Sequence, residues 1–587
     1  MASLRDTGGH YTPPTISSGD GDDDDDDGMK QGGIWHVLCH MTSINSTAGA
    51  EGSDPDLPFM EYLDDNDMVC LKWGFSDLQR QITIKFIVKT TGWIGLGLSP
   101  NKDMQGADLV MGGVDSNRTY FKDYYSATNT MPEVDQVQSY TLLSLTESQG
   151  ETVMTFTRAF QTCDNQDLQI TDKPIYLIYA YGTTDEINFH GAQAGAKEIN
   201  LLNHAPKVTA ANGNYMSVTV QNLALPAKDT YYHCKVMQLP PLSTKHHIYQ
   251  VQPVIEHADL VHHILFYACP ANVKTPYDGD CNWQNIGHSC TAVMAGWAVG
   301  GGVFELPENT GIPVGGADNG AFFMLQIHYN NPYNESGRTD SSGLRLVHTD
   351  QLRKYDVGIL TTGVLPYASA DYNIPPHAAK FRTYGVCNTS LFSEIIDPVP
   401  DLKVFAVMLH THLAGRAVRV GHFRNGRQIG FLGMEPDYDF NLQHITFLGS
   451  IKTIKKGDEI VVECSYNTAD RTGVTRMGGS TMDEMCLAFL FFYPRISITT
   501  CLSQPNTSHL QFPDGLQNQT EITEYESAVK NLPHIQFAFS NSDFMYYPFG
   551  QVRDVMEAPT VPCETNAANH KYRQASLFIV LVWIILM

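Results

Sequence analysis

The length of its apolar runs constrains this chain more than any other feature. Stretches such as Gln81–Val88, Pro174–Ala180, Phe322–Ile327 and Val404–Leu409 are of strand length and alternate with turn signals. No long segment repeats its apolar residues at the helical period. Short runs of this kind read as strands, and antiparallel sandwiches are their natural closure. The expected fold class is therefore all-β. A chain of 587 residues exceeds what one hydrophobic core fills, so about three domains are expected. Residues 1–54, rich in Gly, Ser, Pro and Asp, read as a disordered acidic leader. Domains follow at 55–205, 215–345 and 346–525. Residues 526–570 are less regular and read as a C-terminal segment wrapping back onto the first domain, ahead of a hydrophobic tail at 575–587.

Aromatic residues make up 10% of the chain and charged residues only 17%, which suits ordered, turn-rich domains. The formal charge of −25 is uncompensated by any basic stripe and argues against a nucleic-acid partner. Part of that charge is the Asp22–Asp27 run, read as a solvated tail. Twelve cysteines and Asn-x-Ser/Thr sequons at Asn45, Asn117, Asn334, Asn388, Asn506 and Asn518 point to the lumen of the secretory pathway or the cell surface. Residues 1–50 show no basic segment leading into an apolar core, which conflicts with that placement; the cysteines and sequons outweigh it. The apolar run Leu577–Met587 follows Lys571 and Arg573. As a helix it would rise only about 16 Å against a hydrocarbon core of about 30 Å, so membrane attachment through this tail is expected without a comfortable span.

The chemistry-bearing residues are histidines. His410-Thr411-His412 would put two imidazoles on one face of a strand, and Asp483-Glu484-Met485-Cys486 offers a thioether further on. A thioether is a soft ligand that favours Cu(I) and is foreign to zinc, magnesium or calcium sites, so a His-His-Met set indicates copper. Upstream lie His262-His263 and, later, His328. Three imidazoles suit copper or zinc equally. Adjacent histidines on a regular strand face opposite ways, so His262 and His263 can share an ion only where the backbone twists or bulges. The pair His246-His247 lacks comparable downstream partners and reads as structural.

These two sets, in this order and closed by Asp483-Glu484-Met485-Cys486, resemble the copper type II, ascorbate-dependent monooxygenases, the family of dopamine β-hydroxylase and peptidylglycine hydroxylase. Leu409–Arg416 and Cys464–Arg471 look like the dopamine-hydroxylase branch, and the ending Phe492–Ile496 resembles the DBH-like monooxygenase proteins. Trp93–Ser99 followed by Gly106–Val110 looks like a DOMON domain, without a clear ligand set. The resemblance, over residues 55–525, implies a DOMON-like β-sandwich followed by two jelly-roll-like copper-binding sandwiches that face a shared cleft. It implies two copper ions per chain. His262, His263 and His328 would hold an electron-transfer copper; His410, His412 and Met485 would hold the catalytic, oxygen-activating one. Ascorbate would be the reductant, and the reaction O2-dependent hydroxylation of a small molecule. It also implies the disulfides Cys163–Cys563, Cys234–Cys281, Cys269–Cys290, Cys387–Cys501 and Cys464–Cys486, leaving Cys39 and Cys70 unassigned. Two of these bridges would stiffen the copper sites, since Cys269 follows His263 closely and Cys486 adjoins Met485.

The departures concern the substrate. Met408 stands where the peptide-amidating branch has a carboxylate-gripping arginine, which disfavours a glycine-extended peptide. Phe489 replaces a tyrosine usual in the family. Dopamine hydroxylase has a cysteine near the position of Leu391, and no cysteine lies between Cys501 and Cys563, so a disulfide-linked homodimer is not supported. The expected substrate is small and hydrophobic or amine-bearing. The alternative is a catalytically inactive copper- or ligand-binding secretory glycoprotein.

Overall fold

Almost every ordered element is a strand, and three sandwiches follow one another along the chain. The computed structural model describes residues 57–557, except 117, 172, 205–209, 282–289, 317–320, 367–371, 509–515, 517 and 541–543, together with Cys563. The first sandwich packs a five-stranded sheet against a six-stranded one, with Trp73, Phe86, Phe156 and Leu177 in its core. Its strand Gln81–Val88 alternates half-buried and buried positions at every step, the mark of a sheet with one face on a core. A buried ion pair crosses this domain: Arg158 Nη2 lies 2.7 Å from Asp108 Oδ2, and both side chains are essentially inaccessible.

The second sandwich pairs the sheet containing Lys245–Val254 and Gly343–Thr349 with one containing Val261–Ala268, Ala292–Ala298 and Phe322–Asn330. The third sets a seven-stranded sheet, including Gly358–Val364, Leu402–His410 and Leu487–Tyr493, against a four-stranded one. Among the described residues the single α-helix is Gln519–Lys530, capped by the Asn518 side chain on the Glu521 N–H.

Two arrangements depart from the sequence reading. Residues 526–557 do not form an irregular wrap on the first domain. His534–Ser540 and Phe544–Pro548 instead extend the seven-stranded sheet of the third domain, and Val552 and Val555 pack on its other sheet. Among the described residues of this segment, Cys563 reaches the first domain through its bond to Cys163. The facing sheets of the second and third sandwiches, expected to flank a shared cleft, also pack on each other. One continuous apolar cluster joins Leu265, Met294 and Trp297 of the second sandwich to Met408, Leu487, Phe489 and Phe491 of the third. The physical reason is the pattern itself. The strands Leu402–His410 and Leu487–Tyr493 are buried on both faces, and their second apolar face needs a partner.

Candidate metal centre

His262 and His263 sit near the start of the strand Val261–Ala268, and His328 lies on the neighbouring strand Phe322–Asn330. The register between these strands slips between Val261 and His263, so the irregularity that two adjacent histidines require is present at that point. The three rings lie 4.8–5.5 Å apart between centroids, and one ring nitrogen from each falls within 4.8 Å of the others. His262 is aimed by the third domain: its Nε2–H donates to the Phe440 carbonyl at 3.0 Å, and its ring stacks on Phe440 at 3.9 Å. That leaves Nδ1 as an acceptor, 3.3 Å from Nδ1 of His263. His328 stacks flat on Tyr232 at 4.2 Å and pairs through Nε2 with the Thr481 hydroxyl, leaving its buried Nδ1 without a partner.

His410 is the last residue of its strand, and His412 lies just beyond the strand end rather than within it. Their rings still meet at 5.1 Å. Three side chains hold the short His-Thr-His segment. Gln443 Oε1 accepts the His410 Nδ1–H at 2.7 Å. Tyr438 OH accepts the Thr411 N–H at 3.0 Å and donates to the Thr411 carbonyl at 2.9 Å. Glu484, wholly buried, accepts the His412 N–H at 2.8 Å and also that of Ala414. The His412 Nδ1–H donates to the Asp483 carbonyl at 3.1 Å, so its buried Nε2 is left bare.

The two sets meet. His263 and His410 are 5.3 Å apart between centroids, and His328 and His412 are 6.4 Å apart. Five imidazoles thus form one buried group between the second and third domains. Burial pushes His262 and His410 down to about 4. Burial and then neighbouring imidazoles drive His263, His328 and His412 well below the usual histidine range. All five are neutral near pH 7, the state in which imidazole binds metal. Burial raises Glu484 to about 7, against the pull of the N–H bonds from His412 and Ala414.

The chain matches known families over three segments. Residues 216–336 match the model of the copper type II ascorbate-dependent monooxygenase N-terminal domain, 355–512 match that of its C-terminal domain, and 65–182 match the DOMON domain. The chain belongs to the copper type II ascorbate-dependent monooxygenase family. DBH-like monooxygenase protein 1 of Gallus gallus is 37% identical, with 78% of this chain aligned to 76% of that protein. DBH-like monooxygenase protein 2 of Mus musculus is 39% identical over 87% of each chain. Dopamine beta-hydroxylase of Canis lupus familiaris is 31% identical over 81% of this chain and 78% of its own length.

The donor set suits the family's metal. His328 Nδ1 and His412 Nε2 are buried without a partner, and a hydrogen bond on the opposite ring nitrogen fixes each of these rings. The Met485 side chain is half-buried against the shared apolar cluster. Its carbonyl accepts the Tyr466 O–H at 2.9 Å, and its neighbours on either side are Glu484 and the bonded Cys486. In the sequence Glu484 is visible only as a member of the Asp483–Cys486 run, and nothing there marks Gln443, Tyr438, Tyr232 or Phe440 as supports.

The cysteines join as Cys163–Cys563, Cys234–Cys281, Cys269–Cys290, Cys387–Cys501 and Cys464–Cys486, and Cys70 is also disulfide-bonded. Such bridges suit an oxidising compartment. Asn334, Asn506 and Asn518 are exposed, while Asn388 is half-buried; Asn45, Asn117, Cys39 and the Leu577–Met587 run lie outside the described residues. Among the described residues no helix is long and apolar enough to cross a membrane.

Proposed function

We propose that this chain is an active ascorbate-dependent copper monooxygenase that hydroxylates a C–H bond of a small hydrophobic or amine-bearing molecule with O2, in the oxidising lumen of the secretory pathway. The observation that carries this reading is the convergence of five buried, neutral imidazoles in one group, with Met485 on the adjoining loop. His262, His263 and His328 would hold one copper, and His410, His412 and Met485 a second. Copper reduced by ascorbate supplies the one-electron chemistry and oxygen activation that protein side chains lack.

The protein's own contribution is orientation and dryness. Gln443 and the Asp483 carbonyl fix the tautomers of His410 and His412, Glu484 anchors the backbone between His412 and Met485, and the apolar cluster excludes water. Met408 and His410 share a strand face, and Phe489 and Leu487 lie opposite them in register. Among these described residues neither a cation nor a carboxylate stands beside His410, which supports an apolar reacting portion in the substrate and disfavours a carboxylate grip.

The test is ascorbate-driven O2 uptake by copper-loaded protein across a panel of small aromatic and aliphatic amines and their neutral analogues. Substrate-dependent uptake is expected from the wild type and loss of hydroxylation from Met485→Ala, with folding and secretion intact. Wild-type turnover in Met485→Ala would overturn the assignment. Copper binding without any turnover would leave the storage glycoprotein as the better account.

A further inference from the structure

The pair His246-His247 divides on structural grounds. His247 is spent inside the protein: its Nε2–H donates to the Asp356 carboxylate at 2.9 Å and its Nδ1 accepts the Arg353 N–H at 2.9 Å. His246 is different. Its Nδ1–H donates to the Thr244 carbonyl at 3.0 Å, which leaves Nε2 with a bare lone pair. Its ring meets that of His348 at 5.1 Å and 70°. The two lie on adjacent strands, Lys245–Val254 and Gly343–Thr349. Ile248 pairs with His348, so His246 is the diagonal neighbour on the same face. His348 is only 8% exposed, and its Nδ1 is buried without a hydrogen-bond partner.

We infer that His246 and His348 form a separate binding site for a zinc ion. The geometry has a standard within the same molecule. The rings of the five-histidine group that face one another within a set are 4.8–5.5 Å apart. Two imidazoles at a metal–nitrogen distance of about 2.0 Å and a tetrahedral angle place their centroids about 5 Å apart, as these two are. The support pattern also repeats: His246, like His410 and His412, has Nδ1 tied to an oxygen, which leaves Nε2 for the ion. Buried, unpartnered ring nitrogens are costly, and His348 shares that condition with His328 and His412. Two protein ligands leave the remaining positions to water, and the half-buried His246 gives the ion access from solvent. This site lies in the second sandwich, on the sheet opposite that of His262, His263 and His328.

The test uses zinc as the probe on the copper-loaded full chain. After equilibrium dialysis against Zn2+, elemental mass spectrometry counts zinc and copper per chain in the wild type, His246→Ala and His348→Gln. The wild type is expected to hold one zinc more than either variant, with copper unchanged in all three. His246 is half-buried at a strand end, so its variant keeps the comparison valid if His348→Gln fails to fold. Equal zinc in the wild type and His246→Ala would overturn the inference. The readout is a difference at this pair, so it stands whether or not the five-histidine group takes copper.

Discussion

Tyr438 supports the metal centre through one residue that bears no ligand. Its hydroxyl accepts the Thr411 N–H and donates to the Thr411 carbonyl, and Thr411 is completely buried between His410 and His412. Tyr438→Phe keeps the ring and removes both bonds. The carbonyl retains only a long contact of 3.4 Å from Gln443 Nε2, and the N–H retains none that the structure provides. A buried polar group stripped of its partner costs about 1–3 kcal/mol, so two groups, one partly compensated, should cost about 2–4 kcal/mol locally. The chain has several domains and disulfides, so global unfolding is a poor gauge. Amide hydrogen exchange read by mass spectrometry over residues 409–416 reports the local opening instead. Exchange at Thr411 should accelerate about 30- to 900-fold, the same energy expressed as an equilibrium ratio. Retention of the copper at His410 and His412 should fall with it. A change of less than threefold in exchange, with copper retained, would refute the claim that this hydroxyl holds the segment.

Arg158→Met leaves Asp108 buried without its cation and should cost the first domain about 3–5 kcal/mol in thermal stability, while adding Asp108→Asn should recover much of the loss. A single variant that melts with the wild type would contradict this. His534 is pushed down to about 3 by burial, below its unfolded value near 6.5. The unfolded chain therefore takes up the proton first, so this contribution is intact above about pH 6.5 and is lost as pH falls towards 3, by up to ~5 kcal/mol. His534→Phe should flatten the fall in melting temperature over that window, and parallel curves would refute it.

How much of this was legible depends on the range of the interaction. Strand length and turn chemistry are local, so the sandwich architecture could be read from runs such as Gln81–Val88. The histidine sets were visible because chemistry fixes their residue types, and the need for an irregularity at His262-His263 followed from strand alternation alone. Supports that join distant segments left no such trace. Gln443 meets His410, Glu484 meets His412 and Phe440 meets His262 only through the fold. The partner of His246 was equally hidden, a hundred or so residues away on the next strand. Packing between the second and third domains was missed because a strand buried on both faces reads the same whichever domain covers it.

The most direct test of the account is a copper count on the purified, copper-reconstituted chain by elemental mass spectrometry. Two coppers per chain are predicted, falling to one in His263→Ala and to one in His412→Ala. A chain that binds no copper, or whose copper survives both substitutions, would contradict the assignment of the five-histidine cluster.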